Sequence, residues 1–98
     1  MPLMILVKPE AEADLAVAKK WYDTQSPGLG NQFLDEITTA FQQIQQWPAL
    51  SPIVFRKVRM KLLSRFPYVV LYRVDETQVT IIAIYHTGRS SEVSQKNR

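Results

Sequence analysis

Six residues of this chain carry side chains able to grip or process a polyanion: Arg59, Lys61, Arg65, Tyr85, His86 and Arg89. A guanidinium is a planar fork of donors that fits two phosphate oxygens at once, and an ammonium supplies a compact positive charge. A histidine titrates near neutrality and can give or take a proton. Tyr68 and Tyr85 offer rings on which a base can stack. Spacing gathers part of this set. Asp75-Glu76-Thr77-Gln78 reads as a polar turn between two apolar runs, so the runs pair as antiparallel strands. Partner residue numbers then sum to about 153, which sets His86 opposite Pro67. Arg65 and Arg89 fall beside that same end, making Arg65, His86 and Arg89 a candidate catalytic group. Arg73 falls at the other end, near Asp75 and Glu76, and reads as a solvated charge.

Each of these residues has an ordinary structural alternative. A histidine that ends a strand is commonly structural or simply exposed. Arg59 and Lys61 alternate with Val58, Met60 and Leu62, so they are expected on a solvated sheet face, with Met60 and its neighbours on the core side. Phe66, Tyr68 and Tyr72 read as core, and Trp21 and Trp47 as packing. Other chemistries lack their residues. There is no cysteine and one histidine, which removes disulfides, thiolate sites and a histidine metal cluster, so no metal or cofactor is expected. Gly28-Leu29-Gly30 does not follow a strand, and reads as a hinge and not as a phosphate loop.

The elements that must position these residues follow from periodicity. Leu3 to Lys8 is a short apolar strand closed by Pro9. Pro9-Glu10-Ala11-Glu12 opens a helix, with proline in the first turn and carboxylates at the positive end of the dipole. Asp23 to Gly30 breaks it. Ser26 and Pro27 then offer a cap and first turn for a second helix, in which Phe33, Ile37, Ala40, Phe41, Ile44 and Trp47 form one stripe. Pro48 stops that helix. Past Pro52 the period falls to two. Ile53 to Lys57 is a candidate extra strand, and Val58 to Leu63 alternates. Phe66 to Arg73 and Val79 to His86 are apolar on both faces, as fits buried strands. The order implies one α+β domain over residues 1–98. It is a two-helix hairpin packed on one face of an antiparallel β-sheet, in the order β-α-α-β-β-β.

Charge divides the chain. Residues 1–50 hold three lysines against six carboxylates, a net of −3, whereas residues 51–98 hold nine cations against three carboxylates, a net of +6. A basic half of this kind calls for an acidic or polyanionic partner, or else for a solvated surface. The apolar start, Met1 to Val7, is too short to span a bilayer and lacks the pattern of a signal peptide. A cytoplasmic protein is expected.

Several of these residues together resemble the RelE/ParE superfamily of toxins from bacterial type II toxin–antitoxin systems. The likeness rests on Ala13-Asp14-Leu15 and Trp21-Tyr22 in the first helix, and on Pro27-Gly28-Leu29-Gly30 with Phe33 at the start of the second. It continues through Val58-Arg59, Arg65-Phe66-Pro67-Tyr68, and Ala83 to His86 with Arg89. The resemblance implies a helical hairpin on a sheet, and a toxin neutralised by a cognate antitoxin whose acidic or amphipathic segment wraps it. ParE-like members poison DNA gyrase. RelE-like members cut mRNA on the ribosome with basic residues and a histidine or tyrosine as acid–base groups. This sequence keeps Arg65, His86 and Arg89, but has no carboxylate between Leu50 and Lys61 and has Val93 where many relatives carry an aromatic. Its Trp-Tyr and Pro-Gly-Leu-Gly signatures are similar to the ParE side. Gyrase is therefore the leading expected target, the ribosome and its mRNA the alternative, and an inactive toxin-derived binding module the third reading.

Overall fold

A computed structural model describes residues 3–88. The elements run β1 (Met4–Val7), α1 (Pro9–Gln25), α2 (Leu29–Gln46), β2 (Ile53–Phe55), β3 (Val58–Leu62), β4 (Tyr68–Val74) and β5 (Gln78–His86). The strands form one sheet in the order β1-β5-β4-β3-β2. Two helices on one side of a sheet is the architecture expected from the periodicity, and β2 is the extra strand foreseen at Ile53. The later strands pair antiparallel, as their short turns require. The sheet is mixed nonetheless, because β1 joins its edge parallel to β5, with Met4 beside Gln78 and Val7 beside Ile81.

The helices meet at an interface that explains the glycines between them. Gly28 has φ +84° and occupies the cap position of α2, a conformation that strains any residue with a Cβ. Ser26 is not the cap. It closes α1 instead, its N–H donating to the Tyr22 carbonyl. The Asp23 carboxylate reaches across from α1 to accept the Gly30 N–H at 2.9 Å, and pairs with Lys19 at 2.7 Å. These contacts hold the Asp23 carboxyl below its ordinary range, the Lys19 bond first and the Gly30 N–H next. A Cβ on Gly30 would lie 2.6 Å from the Lys19 carbonyl oxygen, so the backbones touch here only because the side chain is absent.

The core fills the space between hairpin and sheet. The helices contribute Ala11, Ala18, Tyr22, Phe33, Ile37, Ala40 and Ile44; the strands contribute Tyr68, Val70, Tyr72, Val79, Ile81 and Ile84. Tyr22, Phe33, Phe66 and Tyr68 form a cluster of rings whose neighbouring centroids lie 4.9 to 6.0 Å apart, an arrangement of edge-to-face and tilted pairs. The stripe on α2 is real but narrower than its sequence spacing. Phe41 is half-buried and Trp47 is 54% exposed. Trp21 is also exposed, so neither tryptophan is a core residue.

Candidate functional site

The β4–β5 register decides where the candidate residues stand. Near the turn, partner numbers sum as expected: Val74 faces Val79, and Tyr72 faces Ile81. An irregularity beside Leu71 and Tyr72 then adds one residue to β5, so Leu71 faces Ala83 and Tyr68 faces His86. His86 therefore lies one place from its expected partner, although the Thr87 N–H still donates to the Pro67 carbonyl at 2.8 Å. The buried positions of β5 change with it, from Val79 and Ile81 to Ile84. A carboxylate holds this step in place. Asp14 of α1 accepts the Ile84 N–H at 3.0 Å.

His86 consequently shares the helix side of the sheet with Tyr68, and their rings meet edge-to-face with centroids 5.2 Å apart. The Gly88 N–H donates to His86 Nδ1 at 3.0 Å. The Nδ1 of His86 thus serves as an acceptor within its own turn. Tyr85 pairs with Val69 on the opposite face and is 37% exposed. Adjacent in sequence, Tyr85 and His86 point to opposite sides.

Arg65 does come to the His86 end of the sheet, in the loop that leads into Tyr68. It is tied to α2: its backbone N–H donates to Glu36 Oε2 at 2.9 Å and its Nε to Oε1 at 3.0 Å. Burial works to raise the Glu36 pKa, but the Arg65 N–H, its guanidinium and the Ser64 N–H outweigh that and leave it below the ordinary glutamate range. The Arg65 side chain remains 63% exposed, so the outer edge of its fork is accessible. Arg89 lies outside the described residues.

Arg59 and Lys61 correct the expected face. In β3 they pair with Tyr72 and Val70, both core residues, so they stand on the helix side. Arg59 Nη1 donates to the Ser51 carbonyl at 2.6 Å and the Ala49 carbonyl at 3.2 Å, bracing the loop before β2. Lys61 borders a notch at the end of α2. The open face carries the apolar alternates instead: Met60 pairs with Leu71 and Leu62 with Val69, and Met4, Leu6 and Leu62 are half or more exposed. Arg73 is exposed beside the β4–β5 turn, as expected of a solvated charge.

So the structure gathers Arg65 and His86 at one end, sets Tyr85 on the other face, and moves Arg59 and Lys61 along the sheet toward β2. Sequence reasoning missed the carboxylates Asp14, Asp23 and Glu36, which fasten this framework. A signal existed for two of them. Asp14 falls three residues after Ala11 and four before Ala18, and Glu36 three after Phe33, so both flank buried helix faces. Among the described residues, no group of three or more histidine, cysteine or acidic side chains could hold a metal.

Comparison with known proteins adds to this geometry. The model of the family described as the ParE toxin of type II toxin–antitoxin systems matches residues 5–90. A chain from the chromosomal ParDE toxin–antitoxin system of P. aeruginosa superimposes with TM-score 0.76 at 23% identity, covering 86% of this chain and 95% of that one. A chain of the toxin–antitoxin complex RelBE2 from Mycobacterium tuberculosis gives TM-score 0.59 at 21% identity, covering 88% of this chain and 99% of that one. No curated protein sequence matches.

Proposed function

Because the chain belongs to the ParE toxin family of type II toxin–antitoxin systems, we propose that it arrests growth by binding DNA gyrase and is silenced by an antitoxin encoded beside it. The family match across residues 5–90 carries this reading. The chemistry at the His86 end supports it. A nuclease needs a base able to take a proton from the attacking hydroxyl. Glu36 is engaged by Arg65, and the His86 Nδ1 lone pair by Gly88. No acidic residue occurs from Ile37 to Val74 to replace them. Among the described residues no helix is long and apolar enough to cross a membrane. The test is a supercoiling assay with purified gyrase. Added toxin is expected to abolish supercoiling, and the antitoxin to restore it. Unchanged supercoiling at excess toxin overturns the proposal.

One observation favours a second reading. Arg65 and His86 do share one end of the sheet, and with Arg89 they are the residues a ribosome-dependent mRNA endonuclease would use. Toeprinting on translating ribosomes would then show new cuts that vanish in His86→Ala. If neither target responds and expression leaves growth unchanged, the chain is a binding module derived from a toxin.

A further inference from the structure

Two neighbours in β5, Tyr85 and His86, compete for one place beside Tyr68. Up to Tyr72 and Ile81 the β4–β5 pairs follow the turn; the extra residue then brings Ile84 to Val70, Tyr85 to Val69 and His86 to Tyr68. If Ile82 joined the ladder, the same turn would pair Leu71 with Ile82, Val70 with Ala83, Val69 with Ile84 and Tyr68 with Tyr85. Every side chain of β5 past Ile81 would then change faces. Tyr85 would stand on the helix side near the Arg65 loop, and His86 would move to the open face.

Packing separates these two registers only in part. Residues 81–84 read Ile-Ile-Ala-Ile, so isoleucines are available to both faces in either phase. The open face has apolar neighbours for Ile84, since Leu62, Val69 and Leu71 already line it. A tyrosine ring can meet Tyr68 edge-to-face as the His86 ring does. In favour of the observed register, Ile84 is 1% exposed and fills core that Ala83 would leave partly empty. Against it, an extra residue disrupts the ladder, and the groups it turns aside need other partners. Asp14 supplies one. Its carboxylate, carried on α1, accepts the Ile84 N–H at 3.0 Å. α1 is itself fixed by Ala11, Ala18 and Tyr22 in the core, so the acceptor is held in place before β5 reaches it.

We propose that Asp14 is a positioning residue that selects the register of β5, and through it selects His86 over Tyr85 as the side chain beside Tyr68. With the carboxylate engaged, this end of the sheet presents an imidazole on the helix side. Without it, the plain ladder presents a phenol there. A helix thus chooses which of two adjacent functional groups a strand offers. The inference is independent of whether the target is gyrase or mRNA, and its test reads the register and not toxicity.

The experiment follows nuclear Overhauser contacts of the Tyr68 ring in the full chain. Wild type should show contacts to His86. In Asp14→Ala/Ala83→Ile the acceptor is gone, and isoleucine fills the core place that the plain ladder gives to residue 83. The Tyr68 contacts should then pass from His86 to Tyr85. Ala83→Ile alone should keep them on His86, because Asp14 still holds the Ile84 amide. Contacts that stay on His86 in the double variant overturn the proposal, as do contacts that move in Ala83→Ile alone. A second pair decides the matter if the double variant does not fold. Deleting Ile82 removes the extra residue, so a plain ladder sets His86 opposite Tyr68 with no need of Asp14. In that background Asp14→Ala should lower the melting temperature by less than about half of its effect in wild type. An equal loss in both backgrounds would mean that Asp14 acts elsewhere than on the register.

Discussion

Replacing Asp14 with alanine should loosen the irregular step in β5. Asp14 is partly buried on α1, and its carboxylate accepts the Ile84 N–H at 3.0 Å. Ile84 is 1% exposed, so water cannot readily take over this role. Removing a charged partner and leaving a buried N–H unsatisfied costs about 1.5–3 kcal/mol. Asp14 itself retains some access to solvent, which places the expected loss near the middle, about 2 kcal/mol. In a domain of this size that lowers the melting temperature by roughly 8–16 °C. Urea unfolding should show the midpoint falling at constant slope, because the surface exposed on unfolding is unchanged. Exchange of the Ile84 amide should accelerate more than that of Val70, its partner in β4. Asp14→Asn keeps a carbonyl acceptor and should lose only about 1 kcal/mol. A loss below about 0.5 kcal/mol in Asp14→Ala, or an Ile84 amide that exchanges as slowly as before, would refute the claim that this bond holds the register.

Two further outcomes test the framework around the site. Gly30→Ala puts a Cβ 2.5 Å from Asp23 Oδ1 and 2.6 Å from the Lys19 carbonyl, so the helices must part; a loss of about 1–3 kcal/mol is expected, and wild-type stability would show that the helices do not meet this closely. The stabilisation that Glu36 provides should depend on pH. Its folded pKa lies below the unfolded one, so this contribution is present above the unfolded value and fades as pH falls through the folded one. The stability gap between wild type and Glu36→Gln should therefore narrow from pH 7 toward pH 3 in parallel urea titrations, and a gap that widens would contradict the sign.

Much of the fold is legible because burial repeats with the period of the backbone. Phe33, Ile37, Ala40 and Ile44 announce a helix against a core, and the apolar runs around Val70 and Ile81 announce central strands. The turn at Asp75 to Gln78 even sets the hairpin register correctly as far as Tyr72 and Ile81. Beyond that the extra residue in β5 is invisible, since a run that is apolar on both faces keeps no phase to reveal a slip. Alternation in β3 separates Arg59 and Lys61 from Met60 and Leu62, but does not say which set meets the helices. The usual inference, that charges face solvent, fails here for a physical reason. Arg59 covers apolar surface with its stem and spends its head on loop carbonyls, while the open face tolerates Met60 and Leu62. For the candidate site, sequence brings Arg65 to the His86 end. It does not reveal that Glu36 and Gly88 already engage them, because those partners lie on another helix and in the following turn.

The parallel place of β1 has a consequence for how the chain comes to be folded. Met4 pairs with Gln78, near the opposite end of the sequence, and Leu3 is reached by the Gln45 side chain of α2. Pairings between such distant segments carry a large loop-closure cost and are slow to form. During synthesis the first strand emerges long before its neighbour exists, and α1 emerges with Asp14 still lacking the Ile84 amide. The helical hairpin can assemble early, since its contacts are local. The sheet can close only after β5 has left the ribosome, so the finished surface of this protein forms late, once β1 and β4 both have β5 to pair with.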